Sequence, residues 1–319
     1  MHDLFTDSLN APSGRLAEIL LKKLKKAEGG REMSAEIQAR FEKLIRAEGR
    51  FGQLARVRLA AEVSFLFARA PEWTAKNIVP LFDWSSPDAH AAWSSRKYSN
   101  YIGSPKLIGL MKVPFITLFG RDDVDENDLQ TFAEWLAAIM LANQAGGADY
   151  PITAMEARSA LRQVGPRGLS SVGHRLAIEM EKARPEEKIA KWRDVVGPVF
   201  QNIWPLDAEL QTASSTFKLV QILRSSGAAF PEAAAVIIPF IRPEDPRRHT
   251  SIYSISEAPD TLYSSSPEKM LDLISAVVGD GQVHDIYGLN KVLDRIRANN
   301  SKLADTKKFQ KLISIAGIQ

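Results

Sequence analysis

The sequence predicts an all-α protein. Apolar residues recur at helical spacing through most of the chain, strict apolar/polar alternation is almost absent, and short proline-centred apolar segments return at intervals near the length of a helix pair. In chain order, Leu16, Ile19, Leu20, Leu24 and Ala27 define one helix face, and Ile37, Phe41, Leu44, Ile45 and Glu48 a second, with Gly29-Gly30 as the stop between them. A third segment runs from Leu54 through Leu59, Val63 and Leu66 to Phe67 and closes before Pro71. Leu129, Phe132, Ala133, Leu136, Ile139 and Met140 give the cleanest stripe, opened by acidic residues that suit the positive end of a helix dipole. Later helices are expected over 152–164, 171–183, 186–204, 206–225, 231–241, 267–278 and 301–315. Ser251 to Ile255 alternates briefly and is read as loop.

Val79-Pro80-Leu81-Phe82, Val113-Pro114-Phe115-Ile116, Gly197-Pro198-Val199-Phe200 and Ile238-Pro239-Phe240-Ile241 share a pattern. Their prolines stand 34, 84 and 41 residues apart, and the middle gap is close to two of the ~42-residue units that HEAT and armadillo arrays use. An irregular helical-repeat array of that kind is the expected architecture, with one or two helical bundles as the alternative. The expected organisation is a basic helical segment at 1–70 and a repeat domain at 71–319. Residues 242–267, dense in Pro, Ser and Tyr, form a long connector within it.

Composition narrows the function classes. The chain has 319 residues, 45% apolar and 25% charged, with 41 Lys+Arg against 38 Asp+Glu, an ordinary globular balance. It has no cysteine, which removes thiol nucleophiles, thiolate metal sites and disulfides. Residues 1–7 have no basic stretch leading into an apolar one, so a secretory leader is not expected. The longest apolar runs, 135–142 and 233–241, are under half a membrane span. A cytoplasmic protein without a membrane partner is the expectation.

Charge is unevenly spread. Residues 15–58 hold twelve basic and six acidic side chains, whereas 120–150 hold one and seven. Lys22, Lys23, Lys25 and Lys26 flank Leu24 on a basic amphipathic helix, which is either a solvated face or a contact for an anionic partner. Arg242, Arg247, Arg248 and His249, near Tyr253, form a second basic patch on the expected connector. A further run of aromatics, Trp73, Phe82, Trp84, Trp93, Tyr98 and Tyr101, suits core packing better than base stacking.

Motifs for chemistry mostly fail. Asp123, Asp125, Asn127 and Glu134 occupy positions 1, 3, 5 and 12 of a twelve-residue window, the spacing of oxygen ligands in an EF-hand loop. Position 6 is Asp128 where glycine is required, so capping of a helix start is the better reading and no metal is expected. Gly168-Leu169-Ser170-Ser171-Val172-Gly173-His174 lacks the second glycine and the strand of a nucleophile elbow, and is read as a helix start. Gly279-Asp280-Gly281 is a helix stop. The histidines, His2, His90, His174, His249 and His284, lie far apart. No catalytic residue and no cofactor is assigned.

Several of these stretches resemble a known family. Residues Ile78-Val79-Pro80-Leu81-Phe82-Asp83-Trp84-Ser85, Ala92-Trp93 and Gly103-Ser104-Pro105-Lys106 carry the likeness. So do Trp192 through Trp204-Pro205, Phe230-Pro231-Glu232-Ala233 and Pro239-Phe240-Ile241-Arg242-Pro243. Over about residues 73–317 the chain resembles the C-terminal helical region of large bacterial sirtuin-like antiphage defence proteins. In such proteins an N-terminal sirtuin-like domain degrades NAD after infection and the helical part assembles or senses. No sirtuin-type nucleotide-binding unit is present here, so the family's catalytic residues have no positions to occupy. The resemblance implies a non-catalytic scaffold or sensor that binds a protein partner, an effector subunit or a phage component, with homo-oligomers possible. A nucleic-acid binder using the basic segments and an enzyme with a dispersed site are the alternatives.

Overall fold

A computed structural model describes residues 4–26, 33–99, 101–244, 250–279 and 286–316. Among these the chain is helical, without strands. It divides into two compact units, one made of residues 1–132 and 148–152, the other of 133–147 and 153–319. Residues 70 and 71, where the sequence suggests a division, lie together inside the first unit.

The first unit contains α1 (Leu4–Asn10), α2 (Pro12–Lys26), α3 (Ala35–Arg46), α4 (Gly49–Ala61), α5 (Val63–Arg69), α6 (Pro71–Asn77), α7 (Ala89–Arg96), α8 (Pro105–Leu118) and the start of α9 (Glu126–Gln144). α2 packs on α1 and α4, but through a face rotated from the expected one. Ala17, Leu20, Leu21 and Leu24 are buried, whereas Leu16 and Ile19 are 47% and 50% exposed. The buried face is completed by Ser13 and Gly14, small residues that a stripe of bulky side chains does not register. The segment expected over 54–67 breaks at Glu62 into α4 and α5, and α5 ends before Pro71 as the sequence predicts.

Arg56, on α4, fixes the geometry of this unit. Its Nη1 donates to the carbonyls of Ile45 and Ala47 at 2.9 and 3.0 Å, satisfying acceptors left over at the C-terminal end of α3. Its Nε donates to Asp88 at 2.6 Å, just before α7. Both partners are largely buried. Beside them, Trp93 meets Phe82 and Phe132 edge-on, with centroids 5.0 and 5.4 Å apart, and its indole N–H donates to the Phe82 carbonyl at 2.9 Å. Of the six aromatics in the sequence cluster, Trp73, Phe82 and Trp93 are core, while Tyr98 and Tyr101 are exposed.

The second unit contains the remainder of α9, then α10 (Ala154–Leu161), α11 (Gly165–Glu181), α12 (Lys188–Lys191), α13 (Gly197–Ile203), α14 (Ala213–Ser225), α15 (Phe230–Ile237), α16 (Thr250–Ser256), α17 (Asp260–Ser265), α18 (Pro267–Val278), α19 (Leu289–Asn299) and α20 (Lys307–Ile315). α11 and α14 share the most extensive helix contact in it. A Cβ on Gly173 would stand 3.0 Å from Cβ of Lys218, so glycine permits the two helices to approach this closely. The stretch 168–174 is therefore helix interior, and not the helix start the serines suggested: Gly165-Pro166 opens α11, and Ser171 donates back to the Arg167 carbonyl.

The proline segments take three local forms. Val79–Phe82 and Ile238–Phe240 are single 3-10 turns, and Pro114 sits inside α8. Pro198 follows a wide π-turn, Trp192–Val196, that joins α12 to α13. Pro198 has no N–H to return to the Asp194 carbonyl, and Gln144 Nε2 donates to that oxygen instead at 2.9 Å. Gly197 makes room for the Trp192 ring, since a Cβ there would lie 2.8 Å from the Trp192 carbonyl and 3.1 Å from its indole.

The expected connector 242–267 is corrected by α16 and α17. Ser251 starts α16 by donating its N–H and hydroxyl to buried Glu244 at 3.0 and 2.6 Å, and Ile252 and Ile255 are buried at i, i+3 spacing. Short length and many hydroxyls hid that face. Tyr263, on α17, donates to the Ile255 carbonyl at 2.8 Å with the Arg295 guanidinium 3.8 Å from its ring centre. Burial pushes its phenol up to about 12.

Two measurements check these assignments. Arg56→Met should cost about 3 kcal/mol in chemical denaturation, because it strands the buried Asp88 carboxylate and two carbonyls. In a spectrophotometric titration, Tyr263 should ionise last, near pH 12, and Tyr263→Phe should remove that late phase. The sign follows from linkage: the neutral phenol's contribution is whole below pH 10, its unfolded value, and is lost as pH climbs towards 12.

Candidate functional site

Because α2 buries Ala17, Leu20, Leu21 and Leu24, its opposite side carries Leu16, Ile19, Lys22, Lys23 and Lys26 outward. The four lysines are not equivalent. Lys22 pairs with Glu18 one turn back at 2.7 Å, and the Lys22 ammonium holds the Glu18 carboxyl below its usual range. Lys25, also exposed, reaches Glu62 at 3.2 Å and lies over the Phe65 ring at 5.1 Å. Lys23 and Lys26 are exposed and make no ion pair with the described residues. The free positive charge thus sits at the C-terminal end of α2, beyond an apolar pair, Leu16 and Ile19.

Of the second basic patch, the structure describes Arg242. Arg242 is spent inside its own unit: it donates to the carbonyls of Pro239 and Ile241 at 2.9 Å each and to the Gln211 side-chain oxygen. Its backbone N–H also donates to the Thr216 hydroxyl at 3.0 Å. Arg242 is therefore a positioning group and not a free contact. Arg247, Arg248 and His249 lie outside the described residues.

The acidic window forms a capped helix start. Asp125 accepts from the Asn127 N–H at 2.9 Å, α9 begins at Glu126, and Asn127 and Glu134 therefore lie two turns apart on one helix. Asp123 accepts from Arg121 at 2.8 and 2.6 Å and faces His90 at 2.9 Å, and the Arg121 bonds hold its carboxyl below its usual range. Among the described residues no group of three His, Asp or Glu is placed to hold a metal ion. His174 is exposed on α11.

Sequence reasoning missed a cavity of about 600 Å³ in the first unit, lined by Met33, Gln38, Glu42, Arg69, Trp73, Lys76 and Lys106 among others. It forms where α5 stops at Pro71 and the chain turns into α6, with α3 and the start of α8 alongside. Trp73 donates its indole N–H to Glu42 at 3.2 Å, and Glu42 also receives Arg46 at 2.9 Å. Its residues come from separate helices, so no local spacing pointed to it. The proline that ends α5 is the one sequence signal at its edge.

No family model and no solved structure matches this chain. It is 22% identical to "Uncharacterized protein y4cA" of Sinorhizobium fredii (strain NBRC 101917 / NGR234), over 97% of its own length. That alignment covers 26% of the relative, so the chain spans about a quarter of the length of the curated relative it matches.

Proposed function

We propose that this chain is a non-catalytic helical scaffold or sensor module, acting by protein–protein contact in cytoplasmic bacterial antiphage defence. The observation that carries this reading is the outward face of α2, where Leu16 and Ile19 lead into Lys22, Lys23 and Lys26. An exposed apolar pair beside Lys23 and Lys26, which make no ion pair with the described residues, suits an acidic protein surface: the apolar pair contributes buried area, and the lysines contribute orientation and association rate. The match to a quarter of a longer relative supports a role as one module within a larger assembly. In this reading the helices stack as irregular HEAT- or armadillo-like pairs, with α11 and α14 the closest packed.

Nucleic acid is the second reading, favoured by four lysines within five residues of α2. The two separate by salt and by competitor. A duplex complex weakens with a slope near 0.9 per phosphate contacted, and polyphosphate or heparin displaces it.

The test is the full chain with Lys22, Lys23 and Lys26 changed to Gln. Recovery of a partner identified with wild type, from infected and uninfected cells, should fall at least tenfold, about 1.4 kcal/mol, with helicity and melting temperature unchanged. Undiminished capture would overturn the α2 assignment, and tight salt-dependent duplex binding by wild type would favour the second reading.

A further inference from the structure

We infer that the first unit holds a binding site for a small soluble phosphate-bearing molecule, in the cavity between α3, α5, α6 and α8. The site is distinct from the α2 face and does not rest on the scaffold reading. Three cations from three elements line it: Arg69 at the end of α5, Lys76 in the last turn of α6 and Lys106 in the first turn of α8. None forms an ion pair with the described residues, although most cations nearby do.

Arg69 stands at the cavity wall, its guanidinium carbon 5.7 Å from the centre of the Phe65 ring. Its Nη1 is enclosed and has no acceptor among the described residues. That nitrogen is shielded from solvent, and so from the cavity, and a ligand meets the rest of the guanidinium. Glu42 does not pair with Arg69, because it is engaged by Trp73 and Arg46. Glu72 is the remaining carboxylate in the lining, and it is exposed. Arg69, Lys76 and Lys106 therefore outweigh the one carboxylate left over.

The donor set selects the ligand class. A guanidinium fork with two ammonium groups presents more donors than one carboxylate can use, and matches the several oxygens of a phosphate. The cavity also offers acceptors. The amide nitrogens of Gln38 and Asn77 already donate to the carbonyls of Met33 and Trp73, at 3.0 and 2.9 Å, which leaves their side-chain oxygens for donors on a ligand. Together with Glu72 these suit hydroxyl or amino groups, so a phosphorylated sugar or nucleotide fits better than a bare anion. A volume of about 600 Å³ accommodates a molecule of that size.

The probe is pyrophosphate, titrated calorimetrically into the full chain with ionic strength held constant by potassium chloride. Wild type should show saturable binding. Lys76→Gln/Lys106→Gln, both exposed and so harmless to folding, should weaken it at least tenfold, as should Arg69→Gln. The Lys22/Lys23/Lys26→Gln variant should bind as wild type does. The proposal is overturned by an absence of saturable binding up to about 5 mM, where a millimolar site would be mostly filled. It is equally overturned if the Lys76/Lys106 variant binds as tightly as wild type. Phosphatidylcholine vesicles doped with phosphatidic acid test the other source of such a group: capture by vesicles without binding of free pyrophosphate would reject a soluble ligand.

Discussion

The first unit depends on a single guanidinium. Arg56 ends the hydrogen-bond debt of α3 by serving Ile45 and Ala47, and it fixes Asp88 at the head of α7. One side chain on α4 thereby sets where α3 stops and where α7 begins. A hydrophobic residue of the same volume would fill the space without saying which carbonyl or which carboxylate belongs there. The aromatic cluster around Trp93 adds burial, and Arg56 adds register.

A similar division runs through the charged residues generally. Arg295 covers the Tyr263 ring and donates to the Ser256 and Ala258 carbonyls at 2.9 and 2.7 Å. Arg96, almost wholly buried, donates to the Ser64 hydroxyl at 2.5 Å and to the Tyr101 and Ile102 carbonyls at 2.8 Å, and burial brings its guanidinium down to about 10. Arg242 does comparable work near α14. These arginines act as connectors between backbone segments. The lysines left at the α2 end and around the 600 Å³ cavity have no such employment, and this is why function is sought there.

The all-α class was legible because periodicity depends only on neighbours along one helix. α9 shows this well: Phe132, Ala133, Leu136 and Ile139 are all buried as their spacing predicts. Which side of α2 faces inward was not legible, because Ser13, Gly14 and Ala17 bury by being small rather than by being apolar and large. α16 was hidden for a related reason, its start being set by Glu244, seven residues before Ser251. Of the candidate site, the α2 lysines could be read directly. The engagement of Arg242 with Gln211 and of Lys25 with Glu62 could not, since each partner lies over thirty residues away in sequence. The cavity was equally invisible, because Arg69, Lys76 and Lys106 meet only after α5, α6 and α8 are packed.

The wide turn at Trp192–Val196 has the geometry of one residue added to an α-helix. Removing a residue there would let the backbone close into regular α-helix and rotate everything before it by about 100° relative to α13. Lys191, which now meets Glu179 at 2.5 Å, would swing off that carboxylate. Gly197 and Pro198 oppose such a closure, one by admitting the Trp192 ring and the other by lacking a donor. The segment thus holds a locked phase shift, and chain length between α12 and α13 is less free to vary than in an ordinary helix.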